Sequence, residues 1–221
     1  MLLYMARTNR QLINELKNLG YLRDPLVEKA FEKIDRKFFV PEEYEESAYE
    51  NRPIPIGRNQ TTSQPLVVAF MLELLDVHPG EKILEIGAGF GWQTALLAQL
   101  TREEGENEYE RPLVISLEVV PELFERAKEN ISRYLEIAKG IVDIKEKDGT
   151  KGYEECAPYD RIVVCASVDE ILQTWKNQLK IGGKIVAPIR QSIVMIEKRG
   201  KNEFRTKEFF GFSFVPLVFS K

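Results

Sequence analysis

The stretch Lys82-Ile-Leu-Glu-Ile-Gly-Ala-Gly-Phe-Gly-Trp92 decides the fold class of this chain. Its apolar first half is typical of a buried strand, and the residues that follow, 92–100, repeat their apolar side chains at helical spacing. Three alternating glycines, Gly87, Gly89 and Gly91, join the two patterns. Glycines allow a sharp backbone turn and let a ligand lie directly against the main chain. The stretch therefore predicts a strand, a tight turn and a helix, with room for a ligand at the turn.

The spacing of these glycines indicates which cofactor the turn suits. A dinucleotide fingerprint requires the pattern Gly-x-Gly-x-x-Gly, and Trp92 stands where its third glycine would be. The pattern here, acid-x-Gly-x-Gly-x-Gly, is typical of methyltransferases that use S-adenosyl-L-methionine (SAM), which has no pyrophosphate to place on the helix. A tight turn that binds nothing is the alternative. We predict that SAM binds at Glu85, Gly87, Gly89 and Gly91.

Two acidic positions farther along the chain support a cofactor site. Glu118 ends the apolar run that begins at Leu113, and a carboxylate at the end of that strand can accept hydrogen bonds from both ribose hydroxyls. Asp148 and Gly149 follow a third apolar run, where a carboxylate or a backbone group can meet the adenine. The carboxyl ends of successive parallel strands open into one crevice, so we predict that Glu118, Asp148 and Gly149 complete the cofactor site.

Strand and helix patterns alternate on both sides of the glycine turn. We predict strands over 82–86, 113–117, 141–144, 161–165 and 184–187, and helices over 65–75 and 92–100. A third helix is predicted from Pro121, with its inner face formed by Leu123, Ala127, Ile131 and Leu135. A fourth is predicted after residue 165, with its inner face formed by Ile171, Leu172, Trp175 and Leu179. The turn Ile181-Gly182-Gly183 is expected to lead into the fifth strand. Residues 191–219 hold strand patterns with a hairpin turn at Arg199–Asn202, which predicts an antiparallel edge. The predicted fold class is α/β: a doubly wound, mostly parallel, Rossmann-like sheet of about seven strands, preceded by an N-terminal helical segment.

The first 63 residues are predicted to be helical at their start and irregular at their end. Leu12, Ile13, Leu16 and Leu19 share one face of a helix that Gly20 ends, and Val27, Ala30, Phe31 and Ile34 share one face of a helix that begins at Pro25. Residues 51–63 contain two prolines and a glycine and alternate poorly, so we predict an ordered loop. We divide the chain into residues 1–62, which hold the N-terminal helices and the loop, and residues 63–221, the SAM-binding domain.

Composition excludes several classes of protein. The 221 residues are 43% hydrophobic and 30% charged, which rules out a wholly disordered or fibrous chain. The 31 basic and 35 acidic side chains give a net charge of −4, which argues against nucleic-acid binding through general positive charge. Two cysteines are too few for a disulfide framework or a structural zinc site, and we expect no metal. No apolar run reaches about 18 residues, and Arg7 and Arg10 interrupt the apolar start, so we expect a cytoplasmic protein without a membrane span.

Beyond the glycine turn, the chain resembles the protein-L-isoaspartate O-methyltransferase family over roughly residues 20–219. The resemblance lies in the motifs Val40–Tyr44, Ala48–Glu50, Arg52–Gly57, Gln60–Pro65, Glu118–Leu123, Asp148–Gly152, Ala157–Ile162 and Phe214–Val218. Among these motifs, Gln60-Thr-Thr-Ser-Gln-Pro65 is specific to this family. The chain departs from the family pattern at Asn59, where glycine is usual, and at Cys165-Ala-Ser-Val168, where a run of smaller residues is usual.

The resemblance implies a reaction and its participants. The family transfers a methyl group from SAM to the α-carboxylate of L-isoaspartyl residues in damaged proteins and peptides, which is a repair reaction. Ser63 is the implied catalytic residue, which orients the carboxylate through its hydroxyl. The implied substrate-binding residues are Gln60, Thr61, Thr62, Pro65 and Ala166. We expect a monomer that binds no nucleic acid.

Other interpretations stay open at this point. Ser63 precedes Gln64-Pro65 and an apolar helix, so its hydroxyl could be only the N-cap of that helix. A methyltransferase of the same fold that acts on RNA or on a small molecule is compatible with the glycine turn. A SAM-binding module that has lost its activity is compatible with the altered positions Asn59 and 165–168.

The implied nucleophile, a carboxylate, needs no general base, because it is already ionised at neutral pH. Catalysis then depends on aligning the carboxylate oxygen with the methyl group and on excluding water. His78 is the only histidine, and it precedes the turn Pro79-Gly80 that leads into the strand at 82–86. We therefore predict that His78 lies on the surface at the end of the sheet opposite the crevice and takes no part in the reaction.

Overall fold

The computed structural model describes residues 6–106, 108–134 and 139–219. These ranges contain six α-helices and nine strands. The helices are α1 Asn9–Asn18, α2 Pro25–Lys33, α3 Pro65–Leu75, α4 Trp92–Thr101, α5 Pro121–Tyr134 and α6 Gln173–Gln178. The strands are β1 Ile54–Gly57, β2 Gln60–Thr62, β3 Ile83–Ile86, β4 Val114–Glu118, β5 Val142–Glu146, β6 Tyr159–Val164, β7 Leu179–Ile189, β8 Ser192–Lys198 and β9 Phe204–Phe210. None of the helices in these ranges has the length and apolar character that crossing a membrane requires.

Seven of the strands form one sheet in the order β5-β4-β3-β6-β7-β8-β9. Strands β3 to β7 are parallel, and β8 and β9 form the antiparallel edge. The predicted fold class is therefore confirmed. From the central strand β3 the chain passes to β4 and β5 on one side and then to β6 on the other. A ligand crevice in such a sheet lies outside the carboxyl ends of the strands at this switch point.

Two hydrophobic clusters cover the two faces of the sheet. Successive residues of a strand point to opposite faces, so Ile83 belongs to one cluster and Leu84 to the other. The first cluster packs α1 to α4 against the sheet, and the second contains the fully buried Trp175 of α6. Both predicted N-terminal helices are confirmed, but Leu19 is 51% exposed. Helix α1 ends at Asn18, so Leu19 follows the last turn and leaves the buried face.

The prediction that residues 51–63 form a loop is wrong, because a hairpin lies inside this segment. Strands β1 and β2 pair antiparallel, and Ile54 and Ile56 are buried on one side of β1. The two residues between the strands, Arg58 and Asn59, have φ values of 52° and 57°. Two successive positive φ values are typical of the turn that joins tightly paired strands. Neither residue is glycine, so the turn left no clear signal in the sequence.

Two further predictions near the end of the sheet are corrected. Helix α6 has only six residues. Ile171 and Leu172, predicted on its inner face, precede it, and Leu179, predicted on the same face, begins strand β7. The segment Ile181–Gly183 does not precede the strand but lies within it as an irregularity, since Tyr159 pairs with Leu179 while Arg161 pairs with Lys184. The predicted inner face of α5 is confirmed at Leu123, Ala127 and Ile131, which are buried. Leu135, predicted on the same face, lies outside the described residues.

Candidate active site

A crevice opens at the carboxyl ends of β3, β4 and β6, and it has two adjoining chambers. The first encloses about 550 Å³ of space open to solvent, and its walls include the hairpin, the glycine turn, the start of α4 and the C-terminal segment. The second, of about 370 Å³, lies beside Val119, Lys147 and Gly149. Residues that line both chambers are Gln60, Gly87, Glu118 and Ala166. The crevice therefore joins residues predicted for cofactor and residues predicted for substrate.

Two of the three motif glycines face this crevice. Gly87 and Gly89 have φ values of 96° and 56°, which favour glycine. A Cβ atom on Gly87 would lie 3.5 Å from the Cβ of Cys165, and one on Gly89 would lie 3.3 Å from Cδ1 of Ile56. Gly91 differs, because a Cβ atom there would lie 3.0 Å from Cγ1 of Ile131 in α5. Gly91 therefore permits close packing of α4 on α5 and does not line either chamber.

Glu118, the last residue of β4, reaches across to the glycine turn. Its Oε2 accepts a hydrogen bond of 2.9 Å from the Gly89 N–H, and its Oε1 accepts bonds of 2.9 and 3.0 Å from the N–H groups of Val119 and Val120. Burial raises the pKa of the Glu118 carboxyl, and the three backbone N–H groups act in the opposite direction. A carboxylate offers about four acceptor sites, so about one remains for a ligand hydroxyl while these three bonds persist.

Glu85, the acid of the glycine motif, lies behind the turn and not in the crevice. The strand pleat directs its side chain toward α4, where Thr94 Oγ1 donates to Oε2 and Ser116 Oγ donates to the same oxygen over 2.6 Å. The side chain is fully buried, and burial raises the pKa of its carboxyl to about 7. Because Glu85 lines neither chamber, the predicted direct contact with the cofactor is corrected to support of the turn from behind.

Asp148 and Gly149 follow β5, as expected, but only Gly149 lines the crevice. The Asp148 carboxylate accepts hydrogen bonds from N–H and Oγ1 of Thr150, at 2.9 and 2.7 Å, and caps a single helical turn. The Gly149 carbonyl accepts a hydrogen bond of 2.8 Å from the Trp175 indole. A Cβ atom on Gly149 would lie 2.3 Å from Cγ2 of Ile86, so only glycine fits between this turn and β3.

The hairpin brings the predicted substrate residues to the first chamber. Gln60, Thr61, Thr62 and Ser63 all line it, whereas Pro65 is buried as the first residue of α3 and does not. The alternative that Ser63 is the N-cap of α3 is wrong, because Gln64 occupies the cap position and makes no side-chain cap bond. Asn51 Oδ1 instead accepts the hydrogen bond from the Leu66 N–H, at 3.0 Å.

The Ser63 hydroxyl is consequently free to meet a ligand. Within the described ranges it forms no hydrogen bond with the protein. His78 lies far from this hydroxyl in the fold, on the turn that leads into β3, where its side chain is 58% exposed and its Nε2 is 3.6 Å from Asp76 Oδ1. The prediction that His78 is a surface residue at the opposite end of the sheet is confirmed.

Several residues of the first chamber were missed in the sequence. Trp92 and Gln93 begin α4 and line the chamber, and the C-terminal segment adds Val215. Val215 reaches the crevice because its carbonyl accepts a hydrogen bond of 2.8 Å from the Ser167 N–H, just after β6. The position of Trp92 and Gln93 directly after the third glycine was a signal for their place in the site, whereas the fold alone brings Val215 there.

Comparison with known proteins extends over nearly the whole chain. The model of the protein-L-isoaspartate(D-aspartate) O-methyltransferase family matches residues 7–221. A protein-L-isoaspartate O-methyltransferase of Methanopyrus kandleri is 41% identical over 218 residues, which cover 96% of this chain and 92% of the relative. One of Dictyoglomus turgidum is 42% identical over 212 residues, which cover 94% of this chain and 90% of the relative.

A solved structure with the same fold carries a cofactor product. It is described as a protein-L-isoaspartate O-methyltransferase of Plasmodium falciparum in complex with S-adenosyl-L-homocysteine. It matches with a TM-score of 0.82 at 28% identity and covers 96% of this chain and 99% of that one. The fold described above therefore occurs in a chain that binds the demethylated form of SAM.

Proposed function

Because the chain belongs to the protein-L-isoaspartate O-methyltransferase family, we propose roles in that reaction for the residues that meet in its crevice. The chain is a SAM-dependent enzyme that methylates the α-carboxylate of L-isoaspartyl residues in damaged proteins. One observation carries the assignment of roles: Ser63 and the glycine turn line the same chamber. A substrate held at Ser63 would lie against a cofactor held at the glycine turn.

The residues of the crevice fit SAM. Gly87 and Gly89 leave open the space that a side chain would fill, so the methionine part of the cofactor can lie against the turn. Glu118 accepts a ribose hydroxyl between the two chambers, and the second chamber, between Val119 and Gly149, holds the adenine. Glu85 and Gly91 contribute by shaping the turn from behind. When bound, SAM supplies a methyl group on a positively charged sulfur.

The chain's own residues align the reacting groups and exclude water from them. The substrate carboxylate is ionised at neutral pH, so no proton has to be removed before it attacks. Ser63 Oγ donates a hydrogen bond to one carboxylate oxygen and thereby aims the other at the methyl group. Ile56, Trp92 and Val215 form apolar parts of the chamber wall and exclude water. Loss of water favours the displacement, because negative charge on the carboxylate is lost as the new bond forms.

Replacing Ser63 by alanine tests this assignment. With an isoaspartyl peptide, its aspartyl twin and SAM labelled on the methyl group, we expect the parent to methylate only the isoaspartyl peptide. In Ser63→Ala we expect turnover to fall roughly tenfold to a hundredfold while SAM affinity changes by less than about twofold. The unfolding free energy should change by less than about 0.5 kcal/mol, because Ser63 caps no helix. Ser132→Ala, at an exposed position of α5, is the matched control, and equal turnover in both variants would refute the role of Ser63.

We also infer several finer properties of the enzyme. The net charge of −4 supports an enzyme that binds no nucleic acid. The free thiols of Cys156 and Cys165 support a reducing, cytoplasmic location. We also propose that the chain acts as a monomer, and that residues 1–62 pack as a helical and substrate-binding segment on the SAM-binding domain of residues 63–221. The shared hydrophobic cluster of α1 to α4 supports that packing.

A further inference from the structure

Arg36 is a fully buried residue that holds both ends of the segment 48–63. It begins the single helical turn Arg36–Phe39 that follows α2. Its Nη1 donates hydrogen bonds to the carbonyls of Ala48 and Glu50, at 2.9 and 3.0 Å. Its Nη2 donates to the carbonyls of Arg52 and Ser63, at 3.0 and 3.1 Å. One side chain therefore ties the Ser63 backbone to the segment that leads into the hairpin.

The charge of Arg36 is compensated by carbonyl groups and not by an acid. Within the described parts of the chain Arg36 forms no salt bridge, and the carboxylate of the neighbouring Glu50 pairs with Arg52 instead. Burial and the positive charge of Arg52 lower the pKa of the Arg36 guanidinium to about 9. Burying such a cation is costly, and four oriented carbonyl dipoles offset that cost. Only arginine presents enough donors in a planar fork to serve four acceptors at once.

Arg36 also contacts the cofactor side of the crevice. Its guanidinium carbon lies 5.1 Å from the ring centre of Trp92, the first residue of α4. Trp92 follows the glycine turn directly and lines the first chamber. The guanidinium therefore joins the two walls of that chamber, which carry Ser63 on one side and the glycine turn on the other.

We propose that Arg36 is a positioning residue for methyl transfer, which sets the place of Ser63 relative to the glycine turn. This proposal rests on the proposed function of the crevice. Arg36 does not touch the substrate or the cofactor but acts through the Ser63 carbonyl and the Trp92 ring. Displacement by direct attack depends on alignment, and a shift of about 1 Å in such a site can reduce the rate about a hundredfold.

The variant Arg36→Lys keeps the charge but loses the planar fork. We expect its turnover with the isoaspartyl peptide to fall about tenfold or more, while the KM for SAM changes by less than about threefold. The matched control is Arg161→Lys. Arg161 is also buried and donates to backbone carbonyls, those of Asp76 and Asp160. Unlike Arg36 it also pairs with an acid, Glu81, at 3.0 Å, and it lies at the opposite end of the sheet. Arg161→Lys should lose stability without losing turnover per folded molecule.

Amide hydrogen exchange tests the same proposal without activity. In Arg36→Lys the amides of residues 48–63 should exchange faster than in the parent, while those of α4 should not. Arg36→Gln, which removes the buried charge, serves as a second variant if the lysine variant does not fold. Turnover of the folded variants within about twofold of the parent, or unchanged exchange in residues 48–63, would overturn the proposal. If the parent itself does not methylate the isoaspartyl peptide, the proposed function fails, and the exchange result alone decides about Arg36.

Discussion

At the scale of single residues, Glu85 places a buried carboxyl directly beneath the cofactor turn. Thr94 and Ser116 donate hydrogen bonds to one of its oxygens, and the Cys165 sulfur lies 3.7 Å from the other. Burial dominates over these hydrogen bonds and raises the pKa of the carboxyl to about 7, with a smaller contribution from the nearby charge of Glu118. The ionisation state of Glu85 therefore changes near neutral pH.

Replacing Glu85 by glutamine should change how stability depends on pH. Because the pKa is raised from 4.5 to about 7, the protonated carboxyl favours the folded state. This contribution is fully present below about pH 4.5, declines as the pH rises, and is lost above about pH 7. Relative to Glu85→Gln, we expect the unfolding free energy of the parent to fall by about 3 kcal/mol over that range, measured by urea denaturation. Glu203→Gln, on the exposed turn before β9, is the control, and parallel curves for the parent and Glu85→Gln would contradict the prediction.

At the scale of elements, the β1–β2 hairpin determines which side chains enter the first chamber. Its register pairs Gly57 with Gln60 around the two turn residues Arg58 and Asn59. A shift of one residue would turn every side chain of β2 to the other face. The positive φ at both turn positions therefore fixes the direction of Gln60 and Thr62. Asparagine tolerates this conformation better than other residues that carry a Cβ atom, which explains why it can occupy this turn position.

Substitutions at Asn59 should separate backbone conformation from side-chain chemistry. We expect Asn59→Gly to keep or raise the melting temperature, because glycine adopts a φ of 57° without strain. Asn59→Ala should lower the unfolding free energy by about 1 kcal/mol, because its Cβ atom is strained in this conformation. Asn202 lacks a positive φ, so the order of stability should be reversed there: Asn202→Ala should be more stable than Asn202→Gly. Equal melting temperatures for Asn59→Gly and Asn59→Ala would show that the turn conformation does not limit stability.

At the scale of the whole molecule, the sheet separates two groups of ionisable residues. The crevice lies at the carboxyl ends of the strands, and the contacts of Asp76 with His78 and with the largely buried Lys184 lie at the amino ends. The reaction is therefore expected to proceed without a histidine. Glu85 lies beside the crevice, and burial raises the pKa of its carboxyl to about 7.

The pH dependence of turnover tests this separation. With saturating SAM and isoaspartyl peptide, we expect nearly constant turnover between about pH 6 and 8 and the same profile for His78→Gln, because the carboxylate nucleophile is already ionised. A bend near pH 7 would contradict the constant profile, and its persistence in His78→Gln and loss in Glu85→Gln would assign it to the Glu85 carboxyl. A bend that disappears in His78→Gln would contradict the mechanism without a base.

Much of the architecture was predictable because it depends on neighbouring residues. The apolar run of β3, the three glycines and the periodicity of α4 are local patterns, and the structure places them as predicted. The hairpin was missed because its turn uses Arg58 and Asn59 in place of glycine, and β7 was misjudged because Gly182 lies inside the strand. In both cases pairing with another strand outweighed the local signal for a turn or loop.

The amino-acid sequence by itself determined the α/β class, the alternation of strands and helices along the chain, and the glycine turn. Each of these follows from side chains within a few residues of one another. Only the tertiary structure decided that Glu85 supports the turn from behind and that Arg36 donates a hydrogen bond to the Ser63 carbonyl. It also decided that Asn51, and not Ser63, accepts the hydrogen bond from the backbone N–H at the start of α3. These contacts join residues 15 to 31 positions apart, and in two of the three one partner is a backbone group. Every residue except proline carries the same backbone groups, so their pairing has no signature in the sequence until the chain is folded.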